Sequence, residues 1–385
     1  MNRRVPLAWL QLKREKLRLI AAMAGVTFGV VLIFVQMGFQ DALFDSSVRL
    51  HSTLDYGIAM ISPKTDTAVQ PKPFARSRLY QVVGVEGVSE VTPVYMGSAI
   101  WRHPTRPSHT RPIFVFGVNP SLPGFEWPGI AEGREAIRKP DYVLFDSLSR
   151  AEYGPVGELM AGEGRVETEV NDRRIEVAGL YELGTSFGID GRIVTSDINF
   201  HRIFPERTAT HVDLGLVHLE AGADPDVVRD KIQSIVPGDV AVLTQADFVA
   251  REIRYWSEST AIGFIFGFGV IMGIVVGTII VYQILFSDVQ DSLAEYATLK
   301  AMGYPHRYLV GVVMREAVLL ACLAYLPAIL LTLFVYGQAG AATNLPIAMT
   351  LDRAVTVFLL TVAMCCTSAG LAIRKLRSAQ PAEIF

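Results

Sequence analysis

Apolar and polar stretches alternate along this chain in a way that predicts four membrane-crossing helices and one large folded insert. Crossing about 30 Å of hydrocarbon takes about 20 residues at 1.5 Å each. Leu19–Phe39 and Ala261–Phe286 meet that length without any charged residue. After Glu316 no charge occurs until Asp352, which leaves room for a third helix, kinked at Pro327, and an apolar hairpin. Ala354–Ile373 supplies the fourth. Leu19–Phe39 is too long for a signal-peptide core and lacks a small-residue cleavage site, so it reads as a retained anchor.

Between the first two spans the period changes. Short runs rich in β-branched and aromatic residues, bounded by Gly, Pro or Asn, predict strands at Tyr56–Ile61, Val94–Trp101, Ile113–Val118, Val166–Val170, Ile175–Ala178, Val212–Leu219 and Val240–Leu243. Asp226–Ile235 reads as a helix capped by Asp224 or its neighbour and stopped by Pro237-Gly238, and Ser147–Tyr153 as a shorter one. Asp41–Thr53 continues the first span outward in helical rhythm. Thr244-Gln-Ala-Asp247 forms a capping box opening a helix that runs through Trp256 into the second span. Two such helices side by side would make a stiff stalk. The fold class is therefore an integral membrane α-helical protein with four transmembrane helices plus an α+β extracytoplasmic domain. The expected boundaries are 1–18 (cytoplasmic amphipathic segment), 19–53 (span and stalk), 54–243 (α+β domain), 244–287 (stalk and span), 288–307 (inner helix), 308–336 (span), 337–350 (outer loop), 351–373 (span) and 374–385 (tail).

Charge sets the orientation. Arg3, Arg4, Lys13, Arg14, Lys16 and Arg18 precede the first span; Arg374, Lys375 and Arg377 follow the last; Lys300 and Arg307 lie between spans two and three. The 337–350 connection has no Lys or Arg, so both termini are expected in the cytoplasm and the large domain outside, in a multi-pass protein of the cell inner membrane. Over the whole chain 51% of residues are hydrophobic and 19% charged, with mean hydropathy +0.34. Residues 40–256 carry 30 Asp+Glu against 22 Lys+Arg, an acidic balance that argues against nucleic acid as a partner and against docking on anionic lipid.

Candidate chemistry is sparse. No GxxxxGK[ST] motif occurs, so the chain has no P-loop for ATP and no cofactor of its own is expected. Gly184-Thr-Ser186-Phe-Gly188 matches the GxSxG nucleophile pattern, with Asp197 and His201 following in hydrolase order, but a Gly-rich loop is the plainer reading because Ile189-Asp-Gly-Arg192 is a poor helix start. His103/His109 and His211/His218 lack helical ligand spacing, and Cys322, Cys365 and Cys366 all lie in the apolar C-terminal region, so neither a metal site nor a disulfide framework is expected. Gly25/Gly29, Gly263/Gly267 and Gly269/Gly273/Gly277 have the GxxxG spacing that lets membrane helices approach closely, either within the chain or against a partner. Glu316, about two turns inside the third span, is either functional or a structural ion pair with a basic residue of the inner loop.

The segment Asp288–Met302 reads as a short inner helix, with Ser287 and Gln290 at its cap, Gly303 at its stop and Pro305 beyond. Within and after it, Glu295-Tyr-Ala-Thr-Leu-Lys300-Ala-Met-Gly303-Tyr and Met314-Arg-Glu316 resemble the signature of FtsX-like permeases, the membrane subunits of MacB-type ABC transporters; the closing Pro381-Ala-Glu-Ile384 resembles the same group. Tyr142-Val-Leu-Phe145, Tyr153-Gly154 and Val177-Ala-Gly-Leu180 resemble the MacB-type periplasmic core domain. Pro6-Leu-Ala-Trp9-Leu-Gln-Leu-Lys13 and Gln36-Met-Gly-Phe-Gln40-Asp-Ala-Leu-Phe-Asp45 resemble the DevC family, linked to glycolipid export.

The resemblance, which covers essentially the whole chain, implies a non-catalytic FtsX-like permease domain over 261–385. It also implies a dimer with a second copy of the chain, a separate cytoplasmic ABC ATPase that binds the ATP, a periplasmic membrane-fusion adaptor and a TolC-like outer-membrane duct. By position, Gln290, Glu295, Leu299, Lys300 and Gly303 would form the ATPase-coupling segment, and Glu316 would be the family's acidic position in the third span. The expected function is export of a lipid-like or amphiphilic substrate collected from membrane lipid. A second function class, a transmitter that activates a periplasmic cell-wall hydrolase, fits the same machine; a membrane-anchored serine hydrolase using Ser186 is a distant third.

Overall fold

The computed structural model describes residues 16–186, 188–292, 298, 302–343, 345 and 347–378. The chain forms two compact units, Met1–Ala42 with Ala261–Phe385, and Leu43–Thr260.

Four helices are long and apolar enough to cross a membrane. They belong to α1 (Lys16–Thr53), α8 (Ala261–Asp291), α9 (His306–Thr343) and α10 (Leu351–Ser378). Their shared core is made of Val26, Val30, Ile33 and Phe34 from α1, Val281 and Leu285 from α8, an alanine face at 317, 321, 324 and 328 on α9, and Val357, Met364 and Cys365 from α10. Small side chains on α9 let its neighbours come close without steric cost. Glycines do the same between α1 and α8: a Cβ on Gly29 would lie 3.1 Å from the Gly277 Cα, and one on Gly273 would lie 2.9 Å from Ile33 Cγ1. Proline at 327 removes a backbone donor from α9; the helix passes through it unbroken, and Thr27 Oγ1 donates to the nearby Ala324 carbonyl at 3.1 Å. Gly29→Val meets backbone rather than a movable side chain, so it is expected to lower the thermal midpoint of the detergent-purified chain by several degrees, read by differential scanning fluorimetry.

The second unit is built on a nine-stranded mixed sheet in the order β11-β1-β10-β3-β4-β8-β5-β7-β6, with the two-stranded β2-β9 beside it. The strands are β1 (Ile58–Ile61), β2 (Phe74–Ala75), β3 (Val88–Arg102), β4 (Thr110–Val118), β5 (Tyr142–Asp146), β6 (Val166–Val170), β7 (Arg173–Tyr181), β8 (Arg192–Ser196), β9 (His211–Val212), β10 (Leu214–Leu219) and β11 (Ala241–Thr244). β4–β8 and β5–β7 are parallel and the other pairings antiparallel. The long β3 also reaches β6 at Trp101↔Val170, which closes β3-β4-β8-β5-β7-β6 into a ring.

Successive side chains on a strand face opposite ways, and here both faces are buried. Ile113, Val115, Val143, Phe145 and Ile193 lie in one apolar cluster, while Phe114, Phe116, Leu144 and Val194 lie in the other. The helices of this unit are α2 (Arg76–Tyr80), α3 (Ile130–Gly133), α4 (Val156–Glu163), α5 (Asp197–Ile203), α6 (Pro225–Ile235) and α7 (Gln245–Glu258). α6 begins on Asp224, whose side chain accepts from Asp226 N–H, and α7 begins on the predicted Thr244/Asp247 capping box.

Four expectations are corrected. α7 does not run into the second span; it ends at Glu258 and α8 starts afresh at Ala261. Ser257 Oγ and Thr260 Oγ1 donate to the Arg254 and Trp256 carbonyls there, and such hydroxyls compete with the helix ladder. Ser287 does not cap a new helix, because α8 continues to Asp291: Val289 extends the four-residue spacing of buried Val281 and Leu285. α9 reaches Thr343, so the predicted loop from Gly337 is shorter; alanines at 339, 341 and 342 favour helix before Pro346. Ser147–Tyr153 is not an α-helix. The Asp146 carboxylate accepts Leu148 N–H, folding a turn, and only a 3₁₀ turn at Ala151–Tyr153 follows.

Candidate functional site

The last two turns of α1 and the body of α7 enter the same apolar cluster on one sheet face, through Leu50 and Phe248, with Leu54 and Tyr56 following. Gln245 Nε2 donates to the His51 carbonyl at 2.7 Å, Arg49 Nη1 to the Leu183 carbonyl at 3.3 Å, and Trp127 Nε1 to Thr53 Oγ1 at 3.0 Å. The end of α1 is thus fastened by backbone and side-chain bonds to several parts of the domain.

At the centre of this base sits Glu252, 1% exposed. Its Oε1 accepts from the Thr67 hydroxyl and from Trp256 Nε1 at 2.9 Å, its Oε2 accepts Ala68 N–H at 3.0 Å, and His51 Nε2 faces Oε2 at 3.9 Å, an ion-pair distance rather than a hydrogen bond. The fully buried His51 ring lies against Phe248 with centroids 4.0 Å apart. Burial pushes the Glu252 carboxyl up, but His51, the Thr67 hydroxyl and the Ala68 amide together outweigh it and hold the group below its ordinary value. A carboxyl depressed in the folded state stabilises fully above its unfolded pKa and loses that contribution as pH falls through the folded value. Glu252→Gln is therefore expected to flatten the acid limb of the domain's stability profile below about pH 4.5 and to leave its slope above pH 6 unchanged, measured by denaturant titration at stepped pH.

The helical unit holds a second polar cluster. Arg353, 4% exposed at the start of α10, donates through Nε and Nη2 to Asp41 Oδ2 at 3.0 and 2.7 Å and through Nη1 to the Ala348 carbonyl at 2.7 Å. Its guanidinium lies 5.7 Å from the Tyr336 ring centroid, and Tyr336 donates to the Phe34 carbonyl. A Cβ on Gly38 would collide with that Tyr336 ring, so the glycine makes room for it. Neither Glu252 nor Arg353 is singled out by any sequence motif. The available signal is positional: Glu252 falls four residues after Phe248 on the apolar face of α7, where a carboxylate is costly unless bonded.

The sequence-predicted residues are placed as follows. Gly25, Gly29, Gly273 and Gly277 lie at helix contacts inside the chain; Gly25 faces Ile280 and Gly269 faces Gln36, while Gly267 has open space. Glu316 is buried within the bundle at 1% exposure. Gln290 is exposed near the end of α8. Met302 N–H donates to the Thr298 carbonyl at 3.0 Å, a helical bond, and Gly303 takes φ +89°, the left-handed geometry that ends a helix. Glu295, Leu299 and Lys300 lie outside the described residues, as do the N-terminal and C-terminal motifs.

Ser186 is not an exposed nucleophile. It is buried, pairs with Ile189 across a backbone bridge and accepts from Arg192; among the described residues the next element after it is the strand β8, not a helix. His201 stands in α5 against Tyr95 and Phe200. Among the described residues no group of three His, Cys, Asp or Glu is placed to hold a metal ion.

The MacB-like periplasmic core domain family model matches residues 19–235, more than half of the chain, and the FtsX-like permease C-terminal model matches residues 261–381. No curated protein matches. Among solved structures, the periplasmic region of MacB from Actinobacillus actinomycetemcomitans is similar at 9% identity with TM-score 0.35, over 53% of this chain and 94% of that one. The extracellular domain of the noncanonic ABC-type transporter YknZ from Gram-positive bacteria is similar at 12% identity with TM-score 0.33, over 49% of this chain and 98% of that one. Its apolar helices and its inserted domain both fall under these matches: the chain belongs to the FtsX-like permeases with a MacB-like periplasmic core domain, membrane subunits of ABC transporter systems.

Proposed function

We propose that this chain is the permease subunit of a DevC-type exporter, paired with a second copy of itself and driven by a separate cytoplasmic ATPase. It carries motion to its periplasmic domain, which expels a lipid-like or amphiphilic substrate through a membrane-fusion adaptor and an outer-membrane duct. The supporting observation is α1 itself. One uninterrupted helix, Lys16–Thr53, contributes Val26, Val30 and Ile33 to the core of the bundle and Leu50 to the core of the domain. A stiff element rooted in two separate cores is suited to carry displacement. Apolar side chains make up most of the buried positions of the described bundle, beside Glu316, Thr332, Thr361 and Ser368, which fits a cargo handled outside the spans rather than a solute passed between them.

In this reading both termini are cytoplasmic, the membrane is the inner one, and the segment from Gln290 to Gly303, with Glu295, Leu299 and Lys300, docks the ATPase. Glu316 serves as the bundle's buried acidic position. Glu295→Ala is expected to reduce recovery of the ATPase with the tagged permease several-fold; unchanged recovery with unchanged export would remove Glu295 from the docking surface. The primary test is purification of the tagged chain in mild detergent with mass spectrometry and a vanadate-sensitive ATPase assay. A co-purifying P-loop ATPase and adaptor support the exporter. An ATPase accompanied by a peptidoglycan hydrolase replaces it with a transmitter, and no ATPase at all overturns both.

A further inference from the structure

Behind the Gly-rich loop at 184–188 lies a buried polar cluster that the export reading does not use. Arg192 is 1% exposed, Asp146 and Tyr181 are equally enclosed, and the three are close neighbours. Both Asp146 oxygens are committed to the backbone: Oδ1 accepts the N–H groups of Leu148 and Leu183, each at 3.1 Å, and Oδ2 accepts Gly184 N–H at 2.9 Å. Arg192 Nη1 stands 3.9 Å from Asp146 Oδ2, beyond hydrogen-bond reach, while Nη2 donates to Ser186 Oγ. Among the described residues, Arg192 Nε, Arg192 Nη1 and the Tyr181 hydroxyl have no hydrogen-bond partner.

The imbalance is directional. Arg192 Nε and Nη1 can only donate, the Tyr181 hydroxyl carries a further proton to donate, and a buried donor without an acceptor is costly enough that native structures seldom keep one. Among the described residues, the Tyr181 carbonyl already takes Ser147 N–H at 2.9 Å and Leu183's carbonyl takes Arg49 Nη1 at 3.3 Å. We infer that the Arg192–Tyr181 cluster is an internal binding site for a small inorganic hydrogen-bond acceptor, a water molecule or a halide ion, held between the guanidinium and the phenol. The bound acceptor ties β7 to β8, and Arg192 Nη2 extends that tie to Ser186 in the loop. That loop is fixed from its other side by the Asp146 carboxylate.

Tyr181→Phe tests this, because it keeps the ring stacked on Trp127 (5.5 Å, 19°) and removes only the hydroxyl. In the full-length detergent-purified chain, followed by tryptophan fluorescence, it is expected to lower the thermal midpoint by about 2–4 °C. An unchanged or higher midpoint would mean the hydroxyl had no acceptor, and would overturn the site. The same melts in sodium chloride and in sodium gluconate at equal ionic strength separate the two sources. A chloride-dependent rise in the parent chain that disappears in Tyr181→Phe identifies a halide; a Tyr181→Phe loss that is equal in both salts identifies water. In an Arg192→Met background the Tyr181→Phe loss should vanish, and its persistence would show that the two side chains share no acceptor. Should Arg192→Met fail to fold, the single substitution decides.

Discussion

Glu252→Ala is expected to destabilise the periplasmic domain by about 3–5 kcal/mol, the cost of stripping one partner from a buried charged network. The substitution leaves the Thr67 hydroxyl, the Ala68 amide and the Trp256 indole N–H without their acceptor and the His51 ring facing a void. Denaturant unfolding followed by tryptophan emission measures it, and Trp256 reports directly because its indole bonds the carboxylate. Glu252→Gln retains the shape and one acceptor oxygen, so it should recover part of the loss at neutral pH. A loss under about 1 kcal/mol for the alanine would mean that water replaces the carboxylate and that the base is not sealed.

Arg353→Met is expected to cost about 2–3 kcal/mol, less than a fully enclosed pair because the Asp41 side chain is 47% exposed and water can take over its carboxylate. The loss comes from the Ala348 carbonyl, the contact with Tyr336 and the tie between α1 and the start of α10. Arg353→Lys should rescue little. A single ammonium cannot reach Asp41 and the Ala348 carbonyl together as the planar guanidinium fork does. Thermal unfolding in detergent reads both variants, and full rescue by lysine would show that charge alone matters at this position.

The long-range features of the fold were legible where the local physics was unambiguous. Four apolar runs announced four helices, and the Thr244–Asp247 box and the Asp224 cap were found at their predicted residues because a cap is a contact within one turn. β6 was likewise found at Val166–Val170. β5 and β8 escaped because both faces of the sheet are covered, so Tyr142–Asp146 and Arg192–Ser196 show no alternation and begin or end on a buried charge. Short α2, α3, α4 and α5 carry too few turns for a helical period to register. The junctions misread by sequence, at Ser257–Thr260 and Ser287–Asp291, share a cause: Ser and Asp can cap, terminate or simply ride along a helix, and tertiary packing chooses among these. Glu252 and Arg353 were missed for a related reason, since Thr67, Ala68 and His51 in one cluster and Asp41 in the other lie far away in sequence and no spacing rule connects them.

Residues 43–260 form a closed insertion within a helical unit made of two separate pieces of chain. During synthesis the first span must therefore wait, its glycine notch unfilled, until the second arrives. Closing a flexible loop of that length would cost about 5 kcal/mol of chain entropy. The folded insert removes part of that cost, because Gln245 holds the His51 carbonyl and so ties the end of α1 to the start of α7. That tie shortens the free chain between the first two spans, and weakening it should show first as poor recovery of intact permease, before any defect in transport is measurable.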